Sequence, residues 1–63
     1  MPQASEQTLK NWPHGEGKAL QLLEQNFVCR AGWFSPKESG YHATDEEAAA
    51  IQYLIEEWDY GYN

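Results

Sequence analysis

Hydrophobic positions along the chain fall into three stretches with different periods. Between about Glu16 and Asn26, Leu20, Leu23 and Phe27 recur at i, i+3 and i+7. Ala19 and Leu22 widen that stripe, and Lys18, Gln21, Glu24 and Gln25 fill the opposite side. This spacing predicts an amphipathic helix. From Phe27 to Phe34 the pattern changes to an imperfect alternation. Phe27, Cys29, Ala31 and Trp33 share one face, with Val28, Arg30, Gly32 and Phe34 on the other, as in a strand. Ser35-Pro36-Lys37-Glu38-Ser39-Gly40 has turn composition, because Pro fixes φ and Gly permits positive φ. Tyr41-His42-Ala43 is then expected to return as a short second strand.

The third stretch opens on Thr44-Asp45-Glu46-Glu47. Thr44 can accept from the amide of Glu47 while the Glu47 carboxylate reaches back to the amide of Thr44, the reciprocal arrangement of a capping box. Asp45 and Glu46 sit where the helix dipole favours negative charge. The helix is expected to run to about Tyr60, with Gly61 in the left-handed closing position. Its buried stripe is expected to be Ala48, Ile51, Leu54, Ile55 and Trp58, leaving Tyr53, Glu57 and Tyr60 on the outward side. At the other end of the chain, residues 1–4 are expected to fray. Ser5 would cap a short helical turn that ends by Asn11, because Pro13 disfavours the α region at Trp12.

These elements predict one small α+β domain over residues 1–63, ordered helix, β-hairpin, helix, with a short extra N-terminal helical turn. The last helix would lie across the hairpin and the first helix. Trp33, Tyr41, Ile51, Leu54 and Trp58 would centre the core with Leu20, Leu23 and Phe27. A length of 63 residues is near the lower limit for folding without a staple. Three Trp, four Tyr and two Phe supply much of the burial. Two strands alone are marginal, so a homodimer joined at a strand edge is one route to added stability.

Charge changes the picture. From Met1 to Lys37 the chain is close to neutral, but from Glu38 onward it carries Glu38, Asp45, Glu46, Glu47, Glu56, Glu57 and Asp59 and no Lys or Arg, which brings the net charge of the whole chain to −6. Direct binding to nucleic acid or an anionic membrane needs clustered bases, so neither is expected. The longest apolar run, Ala48-Ala49-Ala50-Ile51, is far short of the ~20 residues that cross a bilayer. Cys29 is single, and Met1 to Gln7 carry no basic-then-apolar leader. A cytoplasmic location is therefore expected.

Candidate chemistry is sparse. Gly15-Glu16-Gly17-Lys18 resembles part of a phosphate loop, yet Trp12 and Ala19 stand where that loop needs a Gly and a Ser or Thr. A helix-start joint explains the glycines. Cys29 with His14 or His42 could form a nucleophile pair, but no surrounding signature supports one, and a lone Cys is more often a small core residue. The two His and one Cys have no zinc spacing, and the consecutive acids at 45–47 lack a calcium-loop pattern. No catalytic residue, metal or cofactor is assigned, and the expectation is a protein that is not an enzyme.

Asp45, Glu46 and Glu47 are explained by the helix start. Glu56, Glu57 and Asp59 stand at the pole where the dipole disfavours them, with no Lys or Arg within four residues. Together with Tyr53, Tyr60 and Tyr62 they form the candidate partner-binding set. Tyrosine suits an interface because one end is apolar and the other wet.

Leu22-Leu23-Glu24-Gln25-Asn26-Phe27-Val28-Cys29-Arg30, a turn, and Gly40-Tyr41-His42-Ala43-Thr44-Asp45-Glu46-Glu47 resemble part of a winged-helix domain. That resemblance implies a recognition helix, a two-stranded wing and an added acidic helix. A regulatory module touching DNA through Lys18, Arg30 and Lys37 is the alternative it supports. In size and acidity the chain is similar in kind to phage and plasmid proteins that block host nucleic-acid enzymes, including anti-CRISPR proteins. The leading expectation is a small acidic inhibitor that occupies a basic surface of a nucleic-acid-processing protein, where carboxylates replace phosphates.

Overall fold

A computed structural model of the chain describes residues 12–62. The frayed start and the Ser5 turn expected from the sequence lie outside the described residues. Five elements follow in order: α1 (Gly15–Leu23), β1 (Phe27–Arg30), β2 (Trp33–Pro36), α2 (Asp45–Trp58) and β3 (Gly61–Tyr62). The α+β class and the helix, hairpin, helix order stand, with a third strand added. The strands lie in the order β1-β2-β3, the first pair antiparallel and the second parallel.

The sheet has two unlike faces. Phe27, Cys29, Phe34 and Pro36 share one face by register, and Tyr62 joins it beside Phe34. Both helices pack over this face. Trp12, Ala19, Leu23, Phe27, Phe34, Ala50, Ile51, Tyr53 and Leu54 form the core, with Leu20, Tyr41 and Tyr60 packed against it. The other face carries Val28, Arg30, Trp33 and Ser35. Burial fades along β1 from Phe27 towards the hairpin turn, which leaves Cys29 exposed rather than in the core as expected.

The hairpin is real but its turn is not where composition placed it. β1 and β2 are joined by Ala31-Gly32, with Arg30 opposite Trp33 and Phe27 opposite Pro36. Ala31 has φ 52 and Gly32 φ 81. Positive φ at both central residues is the type I′ pattern whose twist matches that of the flanking strands. The single long strand 27–34 is thus corrected to two short ones, and the expected return strand Tyr41–Ala43 has no strand structure. Moving the turn also inverts a face. Phe34 goes inward, while Trp33 lies outward and is 55% exposed.

Both helices end early. α1 stops at Leu23: Glu24 makes the last helical bond, donating to the carbonyl of Leu20 at 3.0 Å, and Asn26 then donates to Leu23 at 3.2 Å, closing a three-residue turn instead of continuing the helix. α2 stops at Trp58, where Asp59 takes the left-handed conformation (φ 60, ψ 32). The amides of Asp59 and Tyr60 both donate to the carbonyl of Leu54, the latter at 3.2 Å, and so satisfy a carbonyl of the last turn. Gly61 is therefore not the closing residue. It opens β3, donating to the carbonyl of Gly32 at 2.7 Å. A Cβ at this position would lie 2.5 Å from Cε3 of Trp33, so the indole covers β3 only because residue 61 is glycine.

A left-handed alanine is disfavoured by roughly 1–2 kcal/mol. Ala31→Asn, which suits a type I′ turn, is expected to raise stability by about 0.5–1 kcal/mol in chemical denaturation, or several degrees in Tm. An unchanged or lowered midpoint would contradict the turn assignment.

Candidate functional site

Glu47 organises the region from which the candidate surface is built. The capping box is complete: Glu47 donates its amide to Oγ1 of Thr44 at 3.1 Å, and the Thr44 amide donates to Oε1 of Glu47 at 3.0 Å. Glu47 is buried, with 3% of the residue exposed. It also accepts from the Tyr41 hydroxyl at 2.7 Å and from Nδ2 of Asn26 at 3.0 Å. Burial pushes its pKa up, but the hydrogen bonds from Asn26, Thr44 and Tyr41 outweigh that, so the group lies below the ordinary value of 4.5. The bond to Glu47, then burial and the nearby negative charge, raise Tyr41 above 10.0. No buried side-chain polar atom among the described residues lacks a partner.

With Glu47 held inward, the buried stripe of α2 is Glu47, Ala50, Ile51, Tyr53 and Leu54. The expected stripe is thereby shifted back by about one residue position. Ala48 is exposed, Ile55 is half-buried, and Trp58 is 37% exposed. Tyr53, expected outward, is in the core at 7% exposure. Its hydroxyl accepts a long hydrogen bond of 3.4 Å from Nε1 of Trp58.

The candidate binding residues are therefore divided. Tyr60 is half-buried, stacked on Phe34 with ring centroids 5.3 Å apart, and its hydroxyl lies 3.4 Å from Oε2 of Glu16. Burial and the Glu16 charge raise its pKa above 10.0. Glu56 and Glu57 are half-buried and each has an interaction partner. Asp59 and Tyr62 remain at the surface, Tyr62 at 41% exposure. Trp33 and Trp58, assigned to the core by hydrophobicity, join the exposed aromatic set. Gly32 between two apolar runs was the only local hint of the shifted turn, and with it of an outward Trp33.

Tyr62 borders a hollow of about 230 Å³ lined by Ala43, Ala48, Ile51, Gln52, Ile55 and Tyr62. Gln52 is its one polar lining residue. An adjoining depression at the start of α2 is lined by Asp45, Glu46, Ala48, Ala49 and Gln52. Neither has Lys or Arg in its lining. Among the described residues, no group of three or more His, Cys, Asp or Glu is placed to hold a metal ion. No helix among them is long and apolar enough to cross a membrane.

Over residues 1–63 the chain matches the family described as phage Pam3 gp59 related protein. The chain belongs to that family. That family is named for a phage protein, in keeping with the likeness in kind to phage and plasmid proteins. No curated protein and no solved structure matches the chain.

The Glu47 network sets a pH dependence whose sign is fixed. A carboxylate with a lowered folded pKa stabilises fully above its unfolded value of 4.5 and loses that contribution as pH falls through the folded value. Tyr41 and Tyr60, raised above 10.0, contribute below that value and lose their effect as pH climbs through the raised ones. Glu47→Ala removes charge-assisted bonds and the cap, and is expected to lose about 2–3 kcal/mol near neutral pH. Glu47→Gln should flatten the acid limb of a stability-versus-pH curve measured by urea denaturation. An acid limb identical to wild type would contradict the assignment.

Proposed function

We propose that this phage-family protein is a non-enzymatic binding module that occupies a basic surface on another protein, of the type that handles nucleic acid, and inhibits it by doing so. The observation that carries this reading is the solvent-open apolar hollow beside Tyr62 on a chain of net charge −6. An exposed hollow of this composition gains free energy when covered. The surrounding charge selects a positively charged cover and speeds its approach.

Further support comes from the large exposed side chains Trp33, Trp58 and Tyr62. Trp and Tyr are enriched among residues that dominate interface energetics. Asp59, exposed at the end of α2, places a carboxylate close in sequence to two of those rings. Asp59 and the overall charge balance supply the negative component, and Tyr62 with Trp33 and Trp58 supplies the anchoring rings. A carboxylate can replace a phosphate as acceptor for Lys and Arg, which is why a nucleic-acid-handling surface is the preferred target.

The test is capture from nuclease-treated host-cell lysate on immobilised protein. A Lys- and Arg-rich protein should be retained at low salt and released as ionic strength rises. The double substitution Asp59→Lys with Tyr62→Ala should weaken its binding by roughly tenfold or more. Absence of any basic protein in the retained fraction would reject the proposal. So would tight, salt-sensitive DNA binding by the purified protein, which would favour contacts through Lys18, Arg30 and Lys37.

A further inference from the structure

The apolar hollow and the depression at the start of α2 are two parts of one surface, because Ala48 and Gln52 line both. On one side of that shared pair stand Ala43, Ile51, Ile55 and Tyr62. On the other stand Asp45, Glu46 and Ala49. Ile51 is buried and Ile55 half-buried, whereas Asp45, Glu46, Ala48 and Gln52 are exposed. Crossing the small side chain of Ala48 thus leads from an apolar floor to carboxylates. The two acids differ in their surroundings. Glu46 also borders a depression that contains His14 and Lys18, which offset its charge there. Asp45 lies one helical turn before Ala48, on the same side of α2, and neither the hollow nor the depression it borders contains a base.

We infer that the hollow and the depression form a two-part socket for a segment of the partner protein that presents an apolar side chain and, beside it, a Lys or Arg. The inference deepens the proposed function by naming what the partner inserts, and it rests on that reading. Size and composition select the first element. A hollow of about 230 Å³ with Gln52 as its one polar lining residue is smaller than the roughly 300–1,000 Å³ of small-molecule sites. It suits one aliphatic or aromatic side chain. Charge selects the second element, since Asp45 offers an acceptor to a base that reaches across Ala48.

Spacing links the two. Residues one helical turn apart, such as Asp45 and Ala48, have Cβ atoms about 5–6 Å apart. Residues i and i+2 of an extended segment point the same way and lie roughly 7 Å apart. An apolar residue followed two positions later by Lys or Arg therefore fits the socket. Gln52 stands on the shared ridge with both a donor and an acceptor to offer the backbone between them.

The probe is the capped tripeptide acetyl-Leu-Ala-Lys-amide, titrated at millimolar concentration into the full chain and followed by amide NMR shifts. Two controls replace its Leu by Ala or its Lys by Glu. Saturable shifts should concentrate at 43, 45–52, 55 and 62. The Leu-Ala-Lys form should bind roughly tenfold tighter than the Ala control. It should bind about threefold tighter than the Glu control, an advantage that shrinks as salt rises. Ala48→Arg, at an exposed position on the ridge, should abolish binding. Asp45→Asn is the milder variant and separates the two parts: it should erase the preference for Lys over Glu and keep the preference for Leu over Ala. Equal binding of all three peptides, shifts centred on Trp33, or an Asp45→Asn variant with its Lys preference intact would overturn the inference. So would self-association of the wild type that Ala48→Arg abolishes, because a second copy would then be the occupant. Peptide selectivity without lysate capture would reject only the general reading, and capture without peptide selectivity would reject only the socket.

Discussion

A single buried carboxylate fixes how this small protein is put together. Glu47 faces inward although it is charged, and that is tolerable only because it is saturated with donors. The amide of Thr44, the hydroxyl of Tyr41 and the side-chain amide of Asn26 all donate to it. Those donors come from three places: the cap of α2, the irregular segment before it, and the turn between α1 and β1. One side chain thus couples both helices and the connection that carries no regular structure. A cap residue alone would set where α2 begins, whereas this network also sets its rotation.

That rotation decides which residues are available for function. Holding Glu47 inward draws Ala50 and Tyr53 into the core and leaves Ala48 exposed and Ile55 half-buried beside Tyr62. A strictly hydrophobic packing of α2 would have done the reverse, closing the hollow and turning Tyr53 out. The open groove is a consequence of buried electrostatics and not of a shortage of apolar residues. It is also the feature that the charge of the molecule makes selective, since the adjoining depression is lined by Asp45 and Glu46 and neither lining contains a base.

Local chemistry was legible in the sequence where a few adjacent residues determine the outcome. Thr44 and Glu47 gave the cap correctly because both partners lie within one helical turn. The existence of two helices and a hairpin followed from periodicity. The hairpin turn did not, because Ser35 to Gly40 has stronger turn composition than Ala31-Gly32, and nothing local marks Ala31 as able to take φ 52. Once that register moves, Trp33 and Phe34 exchange faces. β3 was hidden for a related reason: Gly61 is suited to ending a helix, but Asp59 does so, and glycine is needed there for the approach of the Trp33 ring. Of the candidate residues, Asp59 and Tyr62 are exposed, whereas Tyr53 is buried and Tyr60 half-buried. The burial of those two depends on the inward pull on Glu47 and on the stacking of Tyr60 over Phe34, contacts between residues distant in sequence.

The ionisation of Glu47 in the folded protein is the most direct test of this account. A ¹³C NMR titration of its side-chain carboxyl, followed over the range in which the fold persists, should give a midpoint below 4.5, with the Tyr41 and Asn26 resonances following the same curve. A midpoint at or above that value, or titration that leaves Tyr41 and Asn26 unmoved, would show that the carboxylate is not held by these donors. The rotation of α2, and the groove that depends on it, would then need another cause.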